Sequence, residues 1–380
     1  MKIAILTQPL WTNYGGILQA YALQTILQHR GHKVIVINRD YHWDTRNQIK
    51  LKILFARILS FVKTAIRIYI FKHEGYILTN PFSPYYHTKR SETDSLPFVR
   101  KFIRLSPKIR TSHALNKYCK RHRFDAYIVG SDQVWRPCYS PCLTDFFLKE
   151  VPSNRDAIKI SYAASFGTDI WEFSPEETKE CSELLKKFNA VSVREQSGVK
   201  LCGDNLGVDA LHLLDPTLLL NTEDYLKLIE KTSSDESAGN LFCYILDYNT
   251  EAEKIIDTMK KDGYTPFYAG LDPQKYNISV EQWLKSFYNA QIILTDSFHA
   301  CVFSILFKKP FVVIGNENRG VSRLHSLLSV FGLTTNLVYS YDDYMKQRRA
   351  ILNTYDNVEI EAVLTKWRTK SDFFFSSVGL

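Results

Sequence analysis

One pattern constrains this chain more than any other: short apolar runs alternate with stretches of helical periodicity, and the pattern runs through the chain twice. Lys2–Thr7 clusters β-formers and leads into the turn-rich Pro9–Gly16. Leu18, Ala22 and Ile26 then recur at helical spacing up to Arg30, Gly31 stops that helix, and His32–Asn38 is an apolar run of the buried-strand type. Strand, glycine loop, helix and strand make a βαβ opening, the start of a parallel sheet. Further strands are expected at Ala126–Gly130, Ile158–Ala164, Ala190–Val193 and Leu211–Leu214, with a helix at about 175–188, before Asp215-Pro216-Thr217 breaks the run. The theme resumes with strands at Leu241–Leu246, Pro266–Ala269, Gln291–Leu294 and Pro310–Ile314. Helices are expected at Glu251–Lys261, about 280–289, about 297–307 and Gly320–Phe331.

The fold class read from this is α/β, with two Rossmann-like domains facing across a cleft. Residues 1–215 form the first domain, with a helical and irregular insertion at about 45–115. Residues 216–345 form the second domain. The segment 346–380 is helical, expected to pack back on the first domain. A chain of 380 residues with 45% apolar and 23% charged residues has the core for two domains.

Charge narrows the partners. A net +8 favours anions, yet no zinc-finger spacing and no long Lys/Arg block is present, so nucleic acid is not expected. No run reaches the ~18 apolar residues of a membrane span. Polar residues follow Met1–Leu6 too soon for a secretory leader, and seven cysteines are an odd number. The expectation is a cytoplasmic protein with reduced thiols. Cys138 and Cys142 lack a partner pair for a metal, so no metal is expected. Residues 51–72 read as a basic amphipathic helix. Leu51, Leu54, Ile58, Val62, Ile66 and Tyr69 share one face, and Lys52, Arg57, Lys63 and Arg67 the other. It packs on its own protein or touches an anionic membrane at the inner face.

Ligands of parallel α/β sheets bind beyond the carboxyl ends of the strands, and polar clusters fall there. Asn13-Tyr14-Gly15-Gly16 is either a tight turn or an anion site at a helix N-terminus. In Ser131-Asp132-Gln133-Val134-Trp135, Asp132 is a sugar-hydroxyl base or a helix cap, and Trp135 a candidate stacking face for a sugar. Arg194 is a carboxylate or phosphate clamp, or one half of a surface pair with Glu195. His299, in the first turn of a helix after Thr295-Asp296-Ser297, is a proton carrier or a packing histidine. Arg319 and Arg323 are candidates to neutralise a phosphate, or lie on a solvated face.

In combination these segments resemble the polysaccharide pyruvyl transferases. The resemblance rests on Asn13–Gly16 with Leu18–Leu23, Val129–Trp135, Tyr162-Ala163-Ala164-Ser165-Phe166-Gly167, Ser192–Glu195, Asp215-Pro216-Thr217 and Asp296–Ala300. It runs in order from about residue 3 to 335, apart from the insertion. It implies a fold like the GT-B glycosyltransferases with 1–215 as the acceptor side and 216–345 as the donor side, phosphoenolpyruvate as donor, and a sugar that receives pyruvate as a ketal across two hydroxyls. It also implies acceptors in capsular, exopolysaccharide or cell-wall glycans, lipid-linked precursors among them, and no cofactor. By position Arg194 matches the family's first-domain arginine and His299 its histidine. One departure is Ser297, where many members carry Arg; Arg194, Arg319 and Arg323 then remain to hold the donor, Arg319 standing where the family often has Lys. Arg323-Leu324-His325 mimics the family's Arg-Leu-His after the wrong strand, so His325 is set aside. The implied roles are catalysis by His299 and Asp132, donor binding by Arg194, Arg319, Arg323 and Ser297, and acceptor or anion binding by Asn13, Tyr14, Gly15, Gly16, Ser131, Gln133, Trp135 and Ser165. Two other functions stay open: a glycosyltransferase using a nucleotide sugar, and a glycan-binding protein without catalysis.

Overall fold

The computed structural model describes residues 1–11, 13–40, 62, 92–140, 142–152, 157–230, 232, 239–269, 278–316, 320–353 and 359–380. The basic stretch 51–72, but for Val62, lies outside them, and so does Arg319.

Two parallel sheets carry the molecule. The first holds β1 (Lys2–Leu6), β2 (Lys33–Val36), β3 (Ala126–Val129), β4 (Ile158–Ala164), β5 (Ala190–Val193) and β6 (Leu211–His212), in the order β2-β1-β3-β4-β5-β6. The second holds β7 (Leu241–Tyr244), β8 (Pro266–Tyr268), β9 (Ile292–Thr295), β10 (Phe311–Ile314) and β11 (Leu337–Val338), in the order β8-β7-β9-β10-β11. The two orders follow the same rule: the first strand of each sheet sits inside the second, and the chain then crosses to the other side. The crossings fall between β1 and β3 and between β7 and β9, and doubly wound sheets hold their ligands beyond the carboxyl ends of such strands. Their central strands are buried on both faces and read as unbroken apolar runs, which is why the sequence shows them so plainly.

The helices fill the faces. Helix α1 (Tyr14–His29) starts on the side-chain cap of Asn13 and runs from β1 to β2. The later part of the insertion expected at about 45–115, and the residues just after it, contain two helices, α2 (Glu92–Phe102) and α3 (Ser112–His122). Their apolar residues are sparse, but Phe98 and Phe102, one turn apart, pack on Tyr21 of α1, and Leu115 and Cys119, also one turn apart, enter the core. A proline at position 97 inside α2 hid this pattern from a sequence reading. Then come α4 (Pro175–Leu185), opened by a Ser174/Glu177 capping box, α5 (Gln196–Leu201), α6 (Thr222–Ile229), α7 (Thr250–Lys261), α8 (Val280–Asn289), α9 (Phe298–Leu306) and α10 (Val321–Phe331).

The C-terminal segment is two helices with different allegiances, rather than one stretch returning to the first domain. Helix α11 (Tyr341–Asn353) stays on the second sheet, with Tyr344 and Ile351 in the core formed by β7, β9 and β10. Helix α12 (Ile360–Ser377) makes the return. Phe375 stacks on Tyr162 at 4.7 Å, the Tyr162 hydroxyl donates to Ser371 Oγ at 2.8 Å, and Lys370 Nζ donates to the His212 carbonyl at 2.9 Å. Among the described residues no helix is long and apolar enough to cross a membrane.

Phe375 is fully buried. Phe375→Ala is expected to cost about 3–5 kcal/mol of unfolding free energy, the usual penalty for emptying a core aromatic site. A denaturant titration checks this; a loss below about 1 kcal/mol would show that α12 contributes little to holding the first domain.

Candidate active site

The carboxyl ends of both sheets face one another, and the groups gathered there centre on Asp215, just beyond β6. Its Oδ1 accepts from the Thr217 backbone N–H at 3.1 Å and from Thr217 Oγ1 at 2.7 Å. Its Oδ2 accepts from Arg194 NH1 at 2.9 Å, shares the Ser131 hydroxyl at 3.0 Å with the Ala163 carbonyl, and lies 3.5 Å from His299 Nε2. The last distance is an ion-pair approach, longer than a hydrogen bond. Full burial alone would push the Asp215 carboxyl up; His299 and Arg194 outweigh that and hold it well below the usual carboxylate range. The group is therefore an anion, although it is sealed from water.

His299 belongs to the second domain, in the first turn of α9, and Asp215 and Arg194 come from the end of the first sheet. The ring reaches α1 as well. A Cβ on Gly15 would lie 2.0 Å from His299 Nδ1, so the imidazole rests on the bare backbone of the first turn of α1. The backbone of Gly15 has no positive φ, and it is the ring that demands a glycine here. A second contact of this kind lies at the rim. Gly320 has φ of +80° and precedes α10; a Cβ there would sit 1.7 Å from the Gly167 carbonyl oxygen of the first domain.

Positive charge converges on Phe298. The Arg194 guanidinium lies 4.5 Å from the ring centroid and that of Arg323, from α10, 5.9 Å. Removal from water lowers Arg323 to about 10, and the neighbouring Arg194 acts in the same direction; at neutral pH it keeps its charge. Arg194 spends NH1 on Asp215, while its buried Nε and NH2 have no hydrogen-bond partner among the described residues. Two parallel donors on one planar edge match a carboxylate or a phosphate. Behind Arg194, His212 Nε2 donates to its carbonyl oxygen at 3.0 Å.

The structure sorts the residues named from sequence. His299, Arg194, Arg323, Gly15, Gly16, Ser131 and Asp132 come together in one cluster of contacts around Asp215 and Phe298. Asp132, at φ of +57°, turns Oδ1 to the Gln133 N–H at 2.8 Å and Oδ2 toward Gly16. Ser297 caps α9 with no side-chain capping bond. Asn13 spends its side-chain oxygen on the Gly16 N–H at 3.1 Å. Gln133 lies against Gly167 at the rim.

Three residues do other work than expected. Trp135 is fully buried, stacked on Phe147 at 5.1 Å with its indole N–H on the Phe146 carbonyl, so no sugar reaches its face. Ser165 is also fully buried, donating to Glu195 Oε1 at 3.0 Å. Tyr14 joins the domains, stacking on Trp283 at 5.4 Å and donating its hydroxyl to the Ile278 carbonyl at 2.7 Å. Nor is Glu195 a surface partner of Arg194: it is buried and accepts from the Phe166 and Gly167 amides. His325 is exposed, with Nε2 3.0 Å from the Tyr339 hydroxyl.

Sequence reasoning missed Asp215 and Phe298 as members of the site. The signal for Asp215 was present: an Asp at a strand end followed by Pro-Thr, the pattern of a side chain that closes its own turn. A cavity of about 220 Å³ opens elsewhere, at the amino ends of β3 and β4, lined in part by Phe124 and Cys119. Burial pushes the Cys119 thiol up to about 12, so no reactive thiolate is found there.

The family model for polysaccharide pyruvyl transferases matches residues 13–318. A comparison with curated protein sequences gives no match. Among solved structures, a UDP-GlcNAc 2-epimerase from Neisseria meningitidis bound to UDP-GlcNAc is similar with TM-score 0.52 and 10% identity, covering 99% of this chain and 100% of that one. A protein assigned as a UDP-N-acetylglucosamine 2-epimerase from Listeria monocytogenes gives TM-score 0.50 and 10% identity, covering 97% and 90%. At such identity the likeness is one of fold: two Rossmann-like domains across a cleft, the GT-B arrangement.

Two outcomes follow from this geometry. Gly15→Ala places a methyl where the imidazole sits; the catalytic rate is expected to fall on the order of 10²-fold from misplacement of the ring. Helix propensity runs the other way, favouring Ala by about 1 kcal/mol, so circular dichroism should show an intact α1; an unimpaired rate would contradict the packing. Burial and then Lys370 lower His212 from 6.5 to about 4. Between those values the unfolded chain binds the extra proton, so this group's contribution is complete above about 6.5 and falls away as pH drops toward 4. His212→Gln should flatten that acid decline in unfolding free energy.

Proposed function

The chain belongs to the polysaccharide pyruvyl transferase family, and from that membership we propose that it moves pyruvate from phosphoenolpyruvate onto two hydroxyls of a sugar as a ketal. The observation that carries this reading is the unpartnered Nε/NH2 edge of Arg194 in the same hollow as the His299 imidazole and the Arg323 guanidinium. Phosphoenolpyruvate has a planar carboxylate, a phosphate, and a vinyl carbon that must gain a proton. A two-donor edge suits the carboxylate. Arg323 and the first-turn amides of α1 suit the phosphate. Arg319, beyond the described residues, is a further candidate by its place in sequence.

His299 delivers a proton to the methylene carbon while a sugar hydroxyl bonds to the adjacent carbon, and Asp132 accepts the hydroxyl proton. The C–O bond to phosphate then breaks, the phosphate leaving with the proton that Asp132 took up, and the lone pair of the new ether oxygen supports the cation left behind; the second hydroxyl closes the ketal and gives its proton back to His299. The products are the ketal and inorganic phosphate. The chemistry requires no metal and no cofactor. The acceptor is a capsular, exopolysaccharide or cell-wall sugar, lipid-linked precursors included. The basic stretch 51–72 is the candidate contact with an anionic membrane, and vesicle flotation of its charge-reversed form tests that separately.

Incubation with phosphoenolpyruvate and candidate glycans should release phosphate. His299→Ala should lower the rate about 10²–10⁴-fold, the usual worth of a general acid, and Arg194→Lys should raise KM for phosphoenolpyruvate by breaking the two-point grip. Turnover of a nucleotide sugar with no turnover of phosphoenolpyruvate would sink this reading and favour a glycosyltransferase. Glycan binding with turnover of no donor would favour a binding protein.

A further inference from the structure

The two nitrogens of His299 have unlike surroundings. Nε2 is enclosed, has no hydrogen-bond partner among the described residues, and faces Asp215 Oδ2 at 3.5 Å. Nδ1 faces the first turn of α1 at Gly15. An ionised carboxylate only accepts hydrogen bonds, so the nitrogen turned toward it is stabilised when it carries hydrogen. The other charged groups of the hollow do not fill this role. Arg194 and Arg323 present donors alone. The Asp132 carboxylate is turned to the Gln133 N–H and to Gly16.

Asp215 is also held against rotation. Two donors of Thr217 secure Oδ1, and Arg194 NH1 with the Ser131 hydroxyl secures Oδ2, so the edge offered to His299 is set by groups other than the ring itself. Asp215 lies at the end of the first sheet and His299 on the second domain, so the pairing exists only while the two sheets face each other as they do here.

We propose that Asp215 is a positioning residue that keeps the resident ring proton of His299 on Nε2, leaving Nδ1, the nitrogen at the mouth of α1, to exchange protons with the ligand. The inference deepens the reading of His299 as general acid and rests on it for its catalytic meaning. In that step Nδ1–H passes its proton to the methylene carbon, and the ring is left neutral with hydrogen on Nε2, the form that Asp215 stabilises.

The test uses the full chain labelled with ¹⁵N in its histidine rings, without donor, at a pH high enough to leave the ring neutral. The His299 signals are identified by their absence from His299→Gln. The wild type is expected to carry hydrogen on Nε2. In Asp215→Asn the two Thr217 donors retain the amide oxygen and turn its NH2 toward His299, so the hydrogen should move to Nδ1. Ser131→Ala, which removes one donor and keeps the carboxylate, should leave it on Nε2. With phosphoenolpyruvate, Asp215→Asn should lower kcat about 10²-fold or more, as a wrong tautomer does in other histidine catalysts. Hydrogen on Nδ1 in the wild type overturns the inference, and that measurement stands even if Asp215→Asn fails to fold. An unchanged tautomer in a folded Asp215→Asn overturns it too. If the tautomer switches but phosphoenolpyruvate is not turned over, the inference stands and the donor assignment fails.

Discussion

A carboxylate without water, shared between a guanidinium and an imidazole from opposite domains, is the interaction on which the rest depends. Removing Asp215 and Arg194 from solvent costs several kcal/mol per charged group, and their mutual attraction offsets this only because further donors satisfy the carboxylate. Well-packed apolar side chains would hold the same space at less cost. Such a cluster makes physical sense where charge must stand ready in a fixed place, as it must for a doubly negative ligand. The unused donors of Arg194 point the same way, since a buried guanidinium edge with no acceptor is expensive unless something else completes it.

The fold serves this cluster twice over. Each sheet has a point where the strand order reverses, and each reversal delivers its loops into the same hollow. From the first come the α1 turn at Gly15 and the Ser131-Asp132 segment; from the second comes the start of α9 with Phe298 and His299. Two glycines let the halves approach this closely, Gly15 under the imidazole and Gly320 against the Gly167 carbonyl. Helix α12 adds a tie across the back, with Arg368 donating to the Leu218 and Leu220 carbonyls near the crossing between domains.

Much of this was legible in the amino-acid order. The buried strands were visible as apolar runs because parallel strands covered on both faces have no polar alternation to confuse them. Arg194 and His299 were visible because they stand at strand ends, where α/β sheets keep their chemistry. What escaped was fixed by contacts distant in sequence. Trp135 has the aromatic face that a sugar would use, and only Phe146, Phe147 and Phe166 reveal that the core has taken it. Tyr14 follows the cap of a helix and looks like part of an anion loop, but its ring belongs to the packing between the domains. Asp215 was in view within a turn motif, and nothing local announced that a histidine 84 positions later would come to rest beside it. Helices α2 and α3 were missed because their polar surfaces and a proline masked four apolar anchors.

A structure of the chain with phosphoenolpyruvate bound tests the central claim most directly. Its carboxylate is expected on the Nε and NH2 edge of Arg194, at about 3 Å from both donors, with the methylene carbon beside His299 and Asp215 still bridging Arg194 and His299. Phosphoenolpyruvate bound elsewhere, or bound in the cleft without touching Arg194 and His299, would contradict it.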